Sequence, residues 1–257
     1  MTRRLHELRA PQVAGALGPN SVLVQPVGAI EQHGPHLPLS TDLVIADAVA
    51  ERVVQERGDE LDLWLLPPLA YSKSDEHHWA PGTVWLSAAT FFAVLDDLGR
   101  SLAQLPTKRL AFLNGHGGNS AILAVANREL RRKHGLMTFL LHPVQPRDSG
   151  GASDQAECGM GVHGGRDETA AMLYLRPDLV DMSVAERSIP DEMAARKHVK
   201  FGGSVPFGWC SDDIAAGGAI GDPTLADAAH GQAHVERAVR LVGEQLAEIA
   251  TFEFPQR

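Results

Sequence analysis

An α/β fold, with a parallel sheet covered on both faces by helices, is what this 257-residue sequence predicts. Three observations carry that expectation. Short apolar runs recur at 22–27, 61–68, 109–114 and 136–141. Between them lie longer stretches whose apolar residues return every three or four positions, as on an amphipathic helix. The two patterns alternate through the first 142 residues without repeat or linker, so residues 1–257 are expected to form a single domain.

Taken in order, VLVQPV (22–27) is bounded by Ser21 and Gly28 and reads as a buried strand. The stretch from Thr41 places Ile45, Val49 and Val53 one turn apart, a helix expected to stop at Gly58. LDLWLLPP (61–68) is the second strand. FFAVLDDLGRSLAQL then puts Phe91, Val94, Leu95, Leu98, Leu102 and Leu105 on one helical face. RLAFLN (109–114) is the third strand, and SAILAVANRELRRKHG is a helix with a basic last turn and Gly135 as its cap. LMTFLL (136–141) is the fourth strand. Residues 145–165 are Gly-rich and irregular, RDETAAMLYLRP is a helix ending before Pro177, and 178–222 has a weak pattern. A long helix closes the chain, with Asp222 as its expected N-cap and Pro223 at its first position.

Composition narrows the function. With 44% hydrophobic residues the chain can bury a large core, and a net charge of −9 argues against nucleic acid as a partner. The opening MTRRLHELRAPQ has no apolar signal segment. No stretch reaches the roughly 18 apolar residues of a membrane span. A cytoplasmic protein with no membrane partner is therefore expected. The two cysteines, Cys158 and Cys210, fit no CxxC pattern, and Cys210 is expected to be a buried bystander.

The twelve histidines matter by placement. In parallel α/β sheets, ligands bind beyond the carboxyl ends of the strands. Three polar clusters fall at such junctions. EQHGPHLPLSTD follows the first strand. There Glu31 and His33 project the same way from extended backbone, and Asp42 opens the next helix, where its two oxygens can bridge two cations. NGHGGNS follows the third strand and carries His116 between glycines. VHGGRDETA sets His163 and Glu168 five residues apart across a Gly-Gly turn. One histidine in a glycine-rich loop is ordinarily a turn or surface residue; three His/carboxylate clusters at βα junctions are not a structural coincidence. Histidine and carboxylate without cysteine suit zinc, manganese or iron in a catalytic site, so a metal-dependent hydrolase is expected.

The segments PVGAIEQHGPHLPLSTD, EHHWAPGTVWLS, NGHGGNS, HGGRDET and FGWCSDDIAAGGAIGDPTLA together resemble the creatininase (creatinine amidohydrolase) family, over nearly the whole chain. The resemblance implies a three-layer α/β/α fold and two divalent metal ions per subunit. It implies hydrolysis of a non-ester C–N bond by a hydroxide bridging the ions, on an amide, cyclic amide or formamide of a small molecule. A homo-oligomer, often a hexamer, is also implied. Carried onto matching positions, Glu31 and His116 bind one ion, His33 binds the other and Asp42 bridges. His163 shuttles protons, and Glu168 is a further ligand or an outer carboxylate. Creatinine-hydrolysing members carry Tyr-Glu where this sequence has Gly117 and Gly118. The Gly-Gly form is shared with the peptidase that trims the mycofactocin precursor, the alternative function, and with an archaeal formamide-cleaving enzyme. Trp79 and Trp85 flank the expected substrate-side loop and Trp209, with Asp212 and Asp213, the far side of the pocket. Of His77 and His78, at least one is expected at the surface. Asn119 is expected to cap the helix after GHGGN.

Overall fold

The structure, a computed structural model, describes residues 2–143 and 155–255. Four parallel strands, β1 (Val22–Val27), β2 (Leu63–Leu65), β3 (Arg109–Asn114) and β4 (Met137–Leu141), pair in the order β2-β1-β3-β4. Val22 of the inner strand β1 stands beside Leu63 on one side and Arg109 on the other, and Arg109 beside Met137. Parallel neighbours need crossover connections, and helices supply them. After a short α1 (Ala10–Ala16), α2 (Thr41–Leu61) joins β1 to β2, α3 (Ala88–Leu102) precedes β3, and α4 (Ser120–His134) joins β3 to β4. Beyond the sheet follow α5 (Arg166–Leu175), two one-turn helices, α6 (Asp191–Ala194) and α7 (Ser211–Ile214), and the long α8 (Ala228–Thr251).

Strand side chains alternate between faces, and here both faces are covered, which is why the strands read as unbroken apolar runs. Val22, Val24, Ala111 and Leu113 pack against Val49 and Val53 of α2, Ala171 of α5 and Val235, Val242 and Leu246 of α8. Leu23, Trp64, Leu110 and Phe112 pack on the other side against Phe91 and Leu95 of α3 and Leu123 and Leu130 of α4. The expected three-layer α/β/α architecture is present.

Several local expectations are corrected. Helix α2 runs past Gly58 to Leu61 and ends at Asp62, whose φ of 51° is left-handed. Gly58 is buried, and a Cβ there would lie 3.3 Å from Arg3 Cγ, so it serves packing rather than termination. The strand expected at 61–68 shrinks to three residues. Leu105 falls after the end of α3, and Val94 is exposed. Asp222 and Pro223 do form a capped N-terminus, but of a single 3-10 turn, Pro223–Leu225. Extended Ala226 follows it, and α8 starts afresh with Asp227 accepting from the His230 amide at 2.8 Å. Gly135 closes α4 in the left-handed conformation, as expected. Residues 145–154 of the Gly-rich stretch lie outside the described residues.

Two glycines bring the first turn of α2 onto the carboxyl ends of the strands. At Gly28, just after β1, a Cβ would fall 2.5 Å from Leu43 Cα. At Gly115, just after β3, it would fall 2.8 Å from the Asp42 carbonyl oxygen. Any side chain at either position would push Asp42 away from the sheet edge.

Candidate metal centre

Three loops at that edge converge. The loop after β1 is pinned by the Glu31 amide donating to the Leu39 carbonyl at 2.9 Å, which turns Glu31 and His33 inward, both fully buried. Asp42 enters from α2, and His116 from the turn after β3. The loop before α5 carries His163, paired with Ile220 by backbone bonds. Glu157, also buried, accepts from the amides of Arg166 and Asp222 at 3.0 and 2.7 Å and ties this loop to the next.

Asp42 stands at the centre. Its Oδ1 lies 3.0 Å from His33 Nε2 and its Oδ2 3.0 Å from His116 Nδ1. Glu31 Oε1 lies 3.3 Å from His116 Nδ1, 3.6 Å from His163 Nδ1 and 3.8 Å from His33 Nε2. Glu168 Oε2, held by the Gly164 amide at 2.7 Å, lies 3.9 Å from His33 Nε2. Two groups of three can each share an ion: Glu31, Asp42 and His116, and His33, Asp42 and Glu168. Asp42 belongs to both.

The residues pass a physical test for a cation. Glu31 Oε1 and Asp42 Oδ2 are buried without a hydrogen-bond partner among the described residues. An anionic oxygen left so is costly, and a cation removes the cost. The imidazoles are also set up as ligands. His33 Nδ1 faces the Glu31 carbonyl at 3.2 Å, His116 Nε2 the Lys73 carbonyl at 2.9 Å and His163 Nε2 the Gln32 carbonyl at 2.6 Å. A carbonyl can only accept, so each of those nitrogens carries a hydrogen, and it is the other ring nitrogen that faces the centre and can coordinate once any proton on it has left. His36 faces away, bonded through Nε2 to Thr169 Oγ1 at 2.9 Å, and braces this loop against α5.

The charges respond to this crowding. Burial opposes charge on His33, but the Asp42, Glu168 and Glu31 carboxylates push its pKa up to about 10. Burial likewise disfavours charge on His116, yet Glu31 and Asp42 raise it well above the usual imidazole value. Burial, with Asp42 and Glu31 adding to it against the opposing pull of His33, lifts Glu168 to about 7. Burial and the neighbouring His33 hold His163 well below, and therefore neutral. Because the folded value of His33 exceeds the unfolded 6.5, its contribution to metal-free stability is complete below about 6.5 and lost as pH rises to about 10. The same protons must leave when a metal binds. Zinc uptake at pH 7.5 is therefore expected to release at least about two protons per subunit. Calorimetry in buffers of different ionisation enthalpy would count them, and a count of zero would mean that His33 and His116 are not ligands.

Of the residues named from sequence, Glu31, Asp42, His116, His163 and Glu168 thus line one cavity, and His33 is buried beside them against Asp42. Trp209 also lines the cavity. Trp79 is half-buried and does not line it; its indole N–H donates to Ser211 Oγ at 2.8 Å. Trp85 is 43% exposed and outside the cavity lining. Asp212 and Asp213 are exposed at the start of α7, where Asp213 accepts from the Cys210 amide, and do not form a pocket wall. Cys210 is half-buried rather than buried, and partial burial and nearby Asp213 raise its thiol pKa. Asn119 holds the N-cap position of α4, but its side chain makes no capping hydrogen bond. Its side-chain amide donates to Ser72 Oγ at 3.1 Å and to the Gly28 carbonyl at 3.3 Å, while its oxygen accepts from the Lys73 amide at 3.2 Å.

Glu76 and His77 are cavity residues given no role from the sequence, and both stand on a 3-10 turn, Asp75–His77. His78 is the exposed member of the histidine pair. His77 is buried and stacks on His163 with ring centroids 4.0 Å apart, and its Nε2 is 3.5 Å from Glu31 Oε1. Burial and the surrounding imidazoles keep it neutral. Glu76 lies behind His116; burial opposes its charge, but His116 and Lys73 bring its pKa down to about 2. Adjacent His77 and His78 gave no periodicity by which to tell the buried one from the exposed one.

A second group, Asp167, His230 and His234, brings three donors together beside the cavity. There Arg237 Nη2 sits 3.1 Å from His234 Nδ1, and His230 Nε2 is 2.8 Å from Asp167 Oδ1. A guanidinium against a would-be ligand atom makes this an ion-pair cluster. Among the described helices, none is long and apolar enough to cross a membrane.

Known proteins resemble this chain in sequence and in fold. A family model described as Creatininase: Creatinine amidohydrolase matches residues 6–246. A mycofactocin precursor peptide peptidase of Mycolicibacterium smegmatis is 37% identical over 219 residues, 82% of this chain and 78% of the relative. Two solved structures superpose on nearly the whole chain at 26% identity. A creatininase in a manganese form gives a TM-score of 0.73, over 96% of this chain and 98% of its own. A mutant creatininase of Zn–Zn type gives 0.72 over the same shares.

Proposed function

The chain belongs to the creatininase family, and on that footing we propose that it is a metal-dependent amidohydrolase with two divalent ions, cleaving an amide, cyclic amide or formamide C–N bond. The observation that carries this is the pair of buried carboxylate oxygens of Glu31 and Asp42, without a hydrogen-bond partner among the described residues and ringed by inward-facing imidazole nitrogens. Glu31 and His116 would hold one ion, His33 and Glu168 the other, and Asp42 both. Divalent ions so held supply Lewis acidity, polarising a carbonyl and acidifying water. His163 handles the proton. Its Nε2–H is committed to the Gln32 carbonyl, so Nδ1, facing the cluster from a neutral ring, takes a proton and returns it to the leaving nitrogen. The Trp209 ring on the cavity wall offers an apolar face to a small planar amide.

A second reading, trimming of a short peptide, has two observations in its favour. One is the 37% identity to a protein named as a peptidase. The other is a second pocket, lined by Gly117, Gly118, Gly202 and Gly203, that shares Glu76, Gly117, Gly118 and Trp209 with the cavity, room that a small amide does not need. Assay of cyclic ureides, formamides and short peptides, with and without a chelator, tests both. Turnover of small amides that the chelator abolishes supports the first reading. Turnover of peptides alone supports the second, and chelator-resistant turnover sinks the metal mechanism.

A further inference from the structure

We propose that Glu76 is a positioning residue for the metal ligand His116, and that Gly118 lacks a side chain to make room for its carboxylate. The inference rests on the metal-centre reading above and assigns a role to a residue outside the two candidate ligand sets. His116 has two faces. Nδ1 points at Asp42 Oδ2 and Glu31 Oε1, 3.0 and 3.3 Å away. Nε2 points the opposite way, 2.9 Å from the Lys73 carbonyl and 3.2 Å from Glu76 Oε1. The Nε2–H is therefore shared between a neutral and an anionic acceptor.

The carboxylate is itself held. Glu76 is only 10% exposed, and its second oxygen accepts from Lys73 Nζ at 3.0 Å. Lys73 therefore acts twice, through its carbonyl on the imidazole and through its ammonium on the carboxylate. A carboxylate behind a ligating imidazole fixes its tautomer and raises its basicity. The space is specific: a Cβ on Gly118 would lie 1.8 Å from Glu76 Oε1 and 2.5 Å from His116 Nε2. No side chain fits there while Glu76 keeps this contact. The one-turn helix at 75–77 and the glycine pair after His116 thus form one device, though 40 residues apart in sequence.

The test is zinc affinity of the full chain, measured by competition with a chromophoric chelator. Glu76→Gln keeps the shape and removes the charge. It is expected to weaken one zinc site by about 10–100-fold and leave the other unchanged. Gly118→Ala is expected to lose at least as much, because its Cβ displaces both the carboxylate and the His116 imidazole, and the double variant to lose no more than Gly118→Ala alone. In the zinc-loaded protein the His116 Nε2–H proton resonance should move upfield in Glu76→Gln, a change that a purely structural role would not produce. If Gly118→Ala does not fold, Glu76→Gln decides alone. Tight wild-type zinc binding that Glu76→Gln leaves unaltered overturns this inference only, because the Lys73 carbonyl then suffices. A wild-type protein that takes up no zinc overturns the metal-centre reading and this inference with it.

Discussion

Asp42→Ala is expected to strip both ions from the protein together, whereas His33→Ala should empty one position and leave the other filled. The asymmetry follows from geometry. Asp42 is the one side chain whose two oxygens face different imidazoles, His33 and His116, each at 3.0 Å. Removing it takes one ligand from both groups and leaves the buried Glu31 Oε1 without a hydrogen-bond partner among the described residues. The loss of affinity should exceed the ~10–100-fold typical of an outer partner. Elemental analysis after gel filtration gives the readout. Full occupancy in Asp42→Ala would falsify the bridging role.

His163→Asn should reduce kcat by about 10²–10⁴-fold, the usual contribution of a general acid–base group, with metal content unchanged. Glu168→Ala should do the reverse, weakening the His33 side of the centre, because its Oε2 is the third donor there. The Gly164 amide is a further reason for the difference. It holds Glu168 Oε2 at 2.7 Å and is the residue next to His163, so loss of the carboxylate also loosens the loop that aims the imidazole. His163 can in principle ligate, since Glu31, His33 and His163 also come within ion-sharing distance. Metal analysis of the two variants separates the possibilities. Loss of metal from His163→Asn, with both ions retained in Glu168→Ala, would exchange the two roles.

The sequence by itself determined the layers and most of the centre. Apolar runs such as VLVQPV are continuous because both faces of a parallel strand are covered, and that is a local, one-dimensional signal. Placement of Glu31, His33, Asp42 and His116 at βα junctions was legible for the same reason, since strand ends of a parallel sheet share one edge. His163 instead stands on the loop before α5, and Glu168 in the first turn of that helix. That loop directly follows no strand among the described residues and reaches the centre through the His163–Ile220 bridge. Some boundaries misled because one signal has two uses. Gly58 can stop a helix or let Arg3 pack against it, and Asp222–Pro223 can start a long helix or a single turn. Only the tertiary structure decided what lies behind the ligands. That His77 is buried and His78 exposed, that the Asn119 side chain braces strand ends rather than making a capping bond to α4, and that Trp85 faces outward depend on which neighbours arrive from elsewhere. Glu76 is the clearest case. Its contact with His116 exists because two loops 40 residues apart meet over a missing Cβ at Gly118, and no pattern along either segment records that meeting.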